Sequence, residues 1–495
     1  MTKITPISNQ EWLTYLLNNR VIEDADEKYK REQVLLLLNA VITSFKETVA
    51  NRRNYRPEEI SCFLSLFGSF GLGGYTANAD IDLVLLCSSH IKLNDFFNNI
   101  PHLLRTQPTT RDVESVKRAN VPIIKCMIDS VPVDISFVRL RQTTPFNKNI
   151  DLLDDNLLDG LDKTCLASMD GPRVNRYIME SIKPSHLMTF QSTLQCIKHW
   201  ASQRMIYSKP LGYLNGGSWS LLLLKVYMDK KKEESVSISE LLYSFFNTWA
   251  GWPWPTPINL NSYIPGFNGS QVNIRDLTDF DDAYLPIMTP CYPVVNASPF
   301  VKKSTFDVIL RELKRACAIL ATPVKPEAIM HKLFNPLDCI RHYTHFLRIL
   351  ICSTTPNGSD VWKRKMGNEI PRLVELLEYN TNIDKIQPLT KPVSLVCNYT
   401  TLDEKEALEN GATVEEAKNY KMAGQLHPGT MYITNYVVGL TFKIPETQKV
   451  VDASPAVEGF LNILNSKRHQ KDRDVKWSVS AMNRREASEL FEQQQ

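Results

Sequence analysis

The chain has 495 residues, of which 43% are hydrophobic and 22% charged, the composition of an ordinary globular protein; disordered, collagen-like and coiled-coil chains are excluded. The formal net charge is +3, a small surplus that permits an anionic partner without requiring one. The sequence has no run of about 18 apolar residues, and its start lacks the regions of a signal peptide, so we expect neither a membrane protein nor a secreted one.

The first part of the chain predicts a mixed α/β unit that ends near residue 150. Apolar positions within residues 27–49 follow the stripe of an amphipathic helix. Residues 81–87 are short, β-branched and leucine-rich, which is typical of a buried strand. Residues 121–127 and 131–138 predict two more strands, joined as a hairpin.

Helical periodicity dominates the middle of the chain, from about residue 150 to residue 355. It predicts helices over residues 188–206, 218–228, 304–320 and 338–352. Proline-rich connectors, which cannot continue a helix, separate these segments. The middle of the chain is therefore expected to be a helical domain.

The last part of the chain predicts a helix near residues 360–380, strands over 393–399 and 436–443, and a helix over 454–466. This mixture suits a small sheet domain with helices on one face. The basic run 466–476 is either a solvated helix face or a rim that follows RNA phosphates.

An Asp-x-Asp pair, Asp80 and Asp82, is the sharpest chemical signal. On a strand these side chains point to the same face, ~6.6 Å apart. Two carboxylates placed in this way repel each other unless a cation lies between them. Two divalent metal ions would supply that charge and serve a displacement at phosphorus. For an isolated Asp-x-Asp, a position beside a turn is the ordinary alternative.

Two further features favour the chemical interpretation. Gly68 and Ser69 lie upstream of the pair, in a turn whose backbone N–H groups and hydroxyl can bind phosphate. Asp134 lies in the middle of an otherwise apolar strand, where an acid is costly unless it is paired or binds a metal. Together, these residues resemble the signature of the nucleotidyltransferase superfamily that includes DNA polymerase beta.

Longer segments resemble the eukaryotic nuclear poly(A) polymerases across nearly the whole chain. The matching segments are FGSF and ADID, VPVDISFVRL, CIKHWASQRMIYS, LGYLNGGSWSLLL, WPWPTPINL and LPIMTPCYPVVNAS. The resemblance implies a nucleotidyltransferase head at residues 1–150, with N-terminal helices that partly pack on the next domain. It further implies a helical central domain at 151–355 that completes the ATP site, and an RRM-like RNA-binding domain at 356–495.

The resemblance also implies an activity: template-independent addition of AMP from ATP to the 3′-hydroxyl of RNA, with release of pyrophosphate and two Mg²⁺ or Mn²⁺ ions as cofactors. The implied partners are the RNA 3′ end, ATP and the factors of 3′-end cleavage and polyadenylation. We expect a monomer located in the nucleus, with the cytoplasm as a further location.

Residue roles follow from the resemblance position by position. Catalysis and metal binding are assigned to Asp80, Asp82 and Asp134. Contacts with ATP are assigned to Phe67, Gly68, Ser69, Thr76, Asp170, Lys198, Tyr207, Gly216 and Gly217. Contact with the RNA backbone is assigned to Lys125.

Some positions depart from the family pattern. Asp170 stands where the family has an asparagine near the base, and Asn215-Gly216-Gly217 replaces Gly-Gly-Val. These changes leave open a uridylyl or mixed-nucleotide transferase. A third reading is an inactive paralogue that serves as an RNA-binding scaffold, although such a copy has no physical reason to keep three mutually repelling acids.

Overall fold

The computed structural model of the protein describes residues 7–143, 145–322, 325–419, 425–443, 451–468 and 472–493. Within these residues the chain forms an α/β region with a five-stranded sheet, a helical region, and a second five-stranded sheet with its own helices. Part of the basic run 466–476 lies outside the described residues.

The α/β region contains every helix and strand that its sequence predicts. In chain order its elements are α1 (Asn9–Asn18), α2 (Ala25–Arg53), β1 (Cys62–Phe67), α3 (Gly68–Gly71), β2 (Ile81–Cys87), α4 (Leu93–Arg105), β3 (Thr110–Val116), β4 (Ile123–Ile128) and β5 (Val131–Arg139). The strand order is β1-β2-β5-β4-β3, in which β2 and β5 are parallel and the other neighbours are antiparallel.

Helices make up the next part of the chain. Its elements are α5 (Lys163–Ser181), α6 (Leu187–Gln203), α7 (Gly216–Lys230), α8 (Ile238–Gly251), α9 (Lys303–Leu320), α10 (Pro326–Phe334) and α11 (Cys339–His342). Helix α1 packs here rather than on the first sheet: Trp12 is buried, and its Nε1 donates to Ser239 Oγ at 2.9 Å.

The second sheet and its helices occupy the rest of the described chain. The elements are β6 (His345–Ser353), α12 (Pro356–Glu378), β7 (Ile383–Pro388), β8 (Val393–Thr401), α13 (Leu402–Glu409), α14 (Val414–Lys418), β9 (Leu426–Phe442), α15 (Ser454–Ser466), β10 (Val475–Met482) and α16 (Arg484–Glu492). The order is β10-β6-β9-β7, with β8 also on the long strand β9, and all pairs are antiparallel.

Two predictions for this region were wrong. Residues 338–352 were expected to form a helix, but only α11 is helical there, and β6 follows it in the middle of the sheet. Helices were expected on one face of the sheet, but they pack on both. Helix α12 covers one face and α13 and α16 cover the other. Because β6 is apolar on both faces, it requires cover on both.

The first sheet is also covered on both faces. Helices α2 and α4 bury the face that carries Leu83 and Leu85, whereas α5 and the chain before it bury the face that carries Val84 and Leu86. By length and composition alone α2 could cross a membrane, but its apolar residues, such as Phe45, lie in this core. Since side chains alternate along a strand, the second face is the one to which Asp82 belongs.

Candidate active site

One register position runs across four strands of the first sheet. Phe67 at the end of β1 lies opposite Asp82 on β2, and Asp82 lies beside Asp134 on β5. Asp134 in turn lies opposite Lys125 on β4. Residues at one register position of adjacent strands share a face of the sheet. The pairing therefore brings together side chains from residues that are far apart in the sequence, from Phe67 to Asp134.

The acidic cluster consists of Asp82 and Asp134, which lie on this row, and of Asp80, which immediately precedes β2. One carboxylate oxygen from each residue lies within 4.8 Å of the other two. Burial, followed by the charges of Asp80 and Asp134, raises the pKa of Asp82 to about 7. Burial also raises the pKa of Asp134, although Lys125 Nζ donates a hydrogen bond to its Oδ2. In the described part of the chain, the carboxylates of Asp80 and Asp82 have no hydrogen-bond or ion-pair partner.

This donor set fits a divalent cation. Carboxylate oxygens are the ligands that Mg²⁺ and Mn²⁺ prefer. Burial and the repulsion of Asp80 and Asp134 together raise the pKa of Asp82, and a bound cation would offset that repulsion. A sheet position that holds three converging acids, two of them unpartnered, therefore has the chemistry of a metal site.

A tight turn places Gly68 against the acidic cluster. Gly68 has φ +65°, and a Cβ at this position would collide with the Asp82 carboxylate, so both the backbone and the space require glycine. Ser69 follows on the short helix α3, and both residues border the same cleft as Asp82. The phosphate-binding turn expected from the sequence is thus adjacent to the acids.

The cleft has a volume of about 480 Å³ and lies between the end of the first sheet, helices α5 and α7, and the segment 289–297. The residues with predicted roles that line it are Phe67, Gly68, Ser69, Asp80, Asp82, Asp170, Tyr207, Gly216 and Gly217. Asp134, Thr76, Lys198 and Lys125 are outside the cleft lining. Asp134 lies beside Asp82, on the neighbouring strand β5. Thr76 is in the turn before β2, where its carbonyl accepts a hydrogen bond from Ala79 N at 3.1 Å.

Lys198 lies just behind the cleft wall. Its side chain is buried, and its Nζ donates to Gly74 O at 2.8 Å. Burial lowers its pKa to about 8, an effect that Asp80 and Asp82 oppose. A Cβ on Gly216 would lie 3.1 Å from Lys198 Cε and 2.8 Å from Tyr207 Oη, so glycine lets α7 begin close to both side chains.

Several cleft residues received no role in the sequence analysis. They are Asn175, Lys209, Asn215, Ser218, Thr289 and Asn296. Lys209 lies two positions after Tyr207, and this short spacing from a residue assigned to ATP could have indicated it. Asn215 caps α7 by accepting from Ser218 N at 3.0 Å, an ordinary helix start with no chemical signature. Thr289 and Asn296 come from a segment whose resemblance was recognised but whose residues had no assigned role.

The first sheet, with acids from neighbouring strands beside a Gly-Ser turn, defines a nucleotidyltransferase. Models of three poly(A) polymerase domains match the chain: the nucleotidyltransferase domain at residues 6–182, the central domain at 189–336 and the predicted RNA binding domain at 340–494. The chain therefore belongs to the poly(A) polymerase family and is an RNA nucleotidyltransferase, which confirms the predicted family, fold class and enzyme class. The predicted domain bounds and individual residue roles stay predictions.

Curated relatives agree with this assignment. The chain is 29% identical over 413 residues to poly(A) polymerase pla1 of Schizosaccharomyces pombe, covering 83% of this chain and 72% of that protein. It is 29% identical over 408 residues to poly(A) polymerase PAPalpha of Candida albicans, covering 81% and 71%. It is 27% identical over 458 residues to the poly(A) polymerase of Dictyostelium discoideum, covering 91% of this chain and 52%, about half, of that relative.

Solved structures resemble the chain more distantly. A cytoplasmic RNA terminal U-transferase is 16% identical, with a TM-score of 0.46, and the matched region covers 66% of this chain and 99% of that chain. Cid1 in complex with its short product ApU is also 16% identical, with a TM-score of 0.46, and covers 67% and 100%. A likeness at this level carries no inference about substrate.

Proposed function

We propose that the protein adds AMP from ATP to the 3′-hydroxyl of RNA and releases pyrophosphate. The observation that carries this proposal is the acidic cluster beside the Gly68-Ser69 turn, at the edge of a cleft large enough for a nucleotide. Membership of the poly(A) polymerase family supports the choice of ATP and RNA as substrates.

The acidic cluster is the group of residues that would hold two Mg²⁺ or Mn²⁺ ions. Bound there, such ions would make the RNA hydroxyl a better nucleophile and stabilise the charge on the leaving pyrophosphate. Catalysis of this kind depends on positioning and electrostatics rather than on a covalent intermediate with the protein.

Other side chains of this chain would position the substrates. Ser69 and the backbone around Gly68 border the cleft where they can bind phosphate, and the Phe67 ring supplies an apolar surface next to Asp82. Lys198 is a buried cation within the electrostatic reach of Asp80 and Asp82, and we assign it to the triphosphate. Lys125 donates to Asp134 and is the residue we assign to the RNA backbone.

An extension assay tests the proposal. Purified protein, a short RNA, Mg²⁺ or Mn²⁺ and one nucleotide at a time should give a ladder of products with ATP. Asp82→Asn should lower the rate by at least about 1,000-fold, because it removes a charged ligand and breaks the cluster. Asp129→Asn makes the same chemical change in the exposed β4–β5 turn and should leave the rate within about twofold.

The same assay separates the alternatives. Asp170 lines the cleft and is the specific observation that favours a uridylyl or mixed-nucleotide transferase, which would give ladders with UTP or with several nucleotides. No extension with any nucleotide at any metal concentration would defeat both enzymatic proposals and favour the scaffold. Nuclear location, a monomeric state and recruitment by cleavage and polyadenylation factors are further proposals that rest on the resemblance.

A further inference from the structure

The three acids of the acidic cluster are not held in the same way. Asp82 lies on β2 and Asp134 on β5, and the pairing of these strands fixes both residues. Asp80 precedes β2, and the pairing of β2 with β5 begins one residue later, at Ile81. Asp80 is also the exposed residue of the three. Its position in the cluster therefore depends on contacts of the segment that leads into β2.

This segment, residues 72–79, is called the entry segment here, and helix α6 holds its beginning. Three side chains of α6 donate to backbone carbonyls of the entry segment, each at 2.8 Å: Gln191 to Leu72, Lys198 to Gly74 and Gln195 to Tyr75. The last of these contacts is at Tyr75. The end of the entry segment, next to Asp80, must be held by a different contact.

Arg31 on α2 supplies that contact. Its Nη2 donates to Ala79 O at 2.7 Å. Its Cζ lies 5.4 Å from the centroid of the Phe70 ring and 5.1 Å from that of the Tyr75 ring. Ala79 O belongs to the peptide group that joins Ala79 to Asp80, and a peptide group is planar. The hydrogen bond from Arg31 therefore restricts the backbone immediately before Asp80.

Arg31 is itself held in one orientation. Its Nε lies 2.9 and 2.8 Å from the two carboxylate oxygens of Glu23, and its Nη2 donates to Glu23 Oε1 at 2.7 Å. Arg31 is 2% exposed and Glu23 is 6% exposed. The turn between α1 and α2 makes a second contact with the entry segment, since Val21 O accepts from Ala77 N at 2.8 Å. A planar guanidinium fixed by two carboxylate oxygens presents its remaining donor in a defined direction.

A buried ion pair can also be purely structural, and a second pair in this protein provides the comparison. Arg204 Nε donates to Glu312 Oε2 at 2.8 Å, and its Nη1 donates to Asn335 O at 2.7 Å. Arg204 thus has the same kinds of partner as Arg31, a buried carboxylate and a backbone carbonyl. Its partners lie in the helical region, however, whereas the carbonyl that Arg31 contacts adjoins the acidic cluster.

We propose that Arg31, oriented by Glu23, is a positioning residue that fixes Asp80 within the acidic cluster. This inference rests on the proposed function and extends it to two residues that had no role. Arg31 acts through the Ala79 carbonyl, and its burial keeps it from touching a substrate. Residues that orient the ligands of a metal site typically contribute about 10- to 100-fold to metal affinity or activity.

Binding of Mn²⁺ alone tests the proposal without catalysis. The wild type, Arg31→Met and Arg204→Met would be titrated with Mn²⁺ in the absence of RNA and nucleotide, with free Mn²⁺ measured by electron paramagnetic resonance. Arg31→Met should lower the affinity by about 10-fold, because Asp80 is no longer held among the other acids. Arg204→Met is the matched control: it removes the same kinds of contact and should leave the affinity within about twofold.

A double-mutant cycle shows whether Arg31 acts through Asp80. Arg31→Met should change the Mn²⁺ affinity of the Asp80→Asn protein by less than about twofold, because the residue that it positions is already lost. A general loss of structure would lower the affinity by the same factor in both backgrounds. Non-additivity in this cycle is therefore the result that a merely structural ion pair would not give.

A measurement without metal detects the loss of positioning itself. Amide hydrogen exchange at residues 76–80 should be faster in Arg31→Met than in the wild type, and unchanged in Arg204→Met, since only Arg31 holds this end of the entry segment. With saturating Mn²⁺, Arg31→Met should lower kcat for RNA extension by about 10-fold and change KM for RNA by less than about twofold, because a misplaced ligand acts on the chemical step.

Defined outcomes would overturn the inference. These are equal Mn²⁺ affinities in the wild type and Arg31→Met, equal losses in Arg31→Met and Arg204→Met, and an effect of Arg31→Met that persists unchanged in the Asp80→Asn protein. A wild type that binds Mn²⁺ but extends no RNA would defeat the proposed function, and the binding cycle would still decide the role of Arg31. A wild type that binds no Mn²⁺ would defeat both.

A second variant covers the case in which Arg31→Met does not fold. Glu23→Gln keeps the donor to Ala79 O but weakens its orientation, so it should lower the Mn²⁺ affinity in the same direction by a smaller factor. Glu312→Gln makes the same change in the comparison pair and should leave the affinity unaltered. Equal affinities in these two variants and the wild type would also contradict the inference.

Discussion

The two sheets differ in whether a charged residue on a central strand has hydrogen-bond partners. In the second sheet Arg348 on β6 donates from Nε to Asn435 Oδ1 on β9 at 2.7 Å and from Nη1 to Gly411 O at 2.6 Å. In the first sheet Asp82 on β2 lies beside Asp134 on β5, a group of the same charge, and Asp82 itself has no partner within the described chain. Both sheets have five strands and are covered on both faces.

The contrast separates structural charges from functional ones. A buried charge with complete hydrogen bonding fixes the packing of a core, and its removal affects stability. A charge kept next to like charges destabilises the free protein, a cost that a bound ligand of opposite charge would offset. The Arg204–Glu312–Arg315 cluster, with Arg204 Nε 2.8 Å and Arg315 Nε 2.7 Å from Glu312 Oε2, belongs with Arg348 to the first type.

The largest change in stability is expected in the second sheet. Arg348→Met should lower the free energy of unfolding by about 3 kcal/mol, because it leaves the buried acceptor Asn435 Oδ1 and the half-buried acceptor Gly411 O without donors. Urea denaturation measures the change. Arg341→Met removes an arginine whose side chain is 90% exposed and should change the value by less than about 0.5 kcal/mol. Equal effects from the two variants would contradict the structural role of Arg348 and, with it, the contrast between the two sheets.

A smaller change of opposite sign is expected in the first sheet. With divalent metal removed, Asp82→Asn should raise Tm by a few degrees at pH 8, although the same variant abolishes extension when metal is present. Folding raises the pKa of Asp82 from 3.8 to about 7, so the folded state binds this proton more tightly than the unfolded state does. Protonation of Asp82 therefore contributes its full share to the free energy of unfolding below pH 3.8, and this contribution is lost as the pH rises through 7. The advantage of asparagine should therefore shrink toward pH 5.

Divalent metal supplies the control for this experiment. Mg²⁺ or Mn²⁺ should raise Tm of the wild type by binding the folded state, and it should raise Tm of Asp82→Asn much less. A variant that is less stable than the wild type in the absence of metal would show that the Asp82 carboxylate is structural, like Arg348.

The smallest change in stability is expected at an ion pair between the two sheet-containing regions. Arg364 on α12 and Glu114 on β3 form an exposed ion pair of 3.2 Å between the second region and the edge of the first sheet. Arg364→Ala should lower the free energy of unfolding by no more than about 1 kcal/mol, and 1 M salt should remove most of that difference. A loss of several kcal/mol would mean that this contact controls how the two regions pack.

Local patterns predicted the elements that they encode directly. The stripe in residues 27–49 gives α2, and the capping box of Asp24 with Glu27 starts it. The hairpin turn lies at Asp129 and Ser130, whose φ angles of 48° and 66° are typical of a tight two-residue turn. The prediction for 338–352 failed because an apolar run of this length fits either a helix or a buried strand, and pairing with β9 and β10 selects the strand.

The amino-acid sequence by itself determined the family of this protein, the three acids and the glycine that the turn beside them requires, because each is carried by residue identity or by short spacing. Only the tertiary structure decided that Asp82 and Asp134 share one register position, that Lys125 donates to Asp134, and that Asp170 faces the same cleft as Lys209. Strand register and helix packing are set by which faces become buried over the whole chain, so the meeting of distant side chains depends on all of those contacts at once.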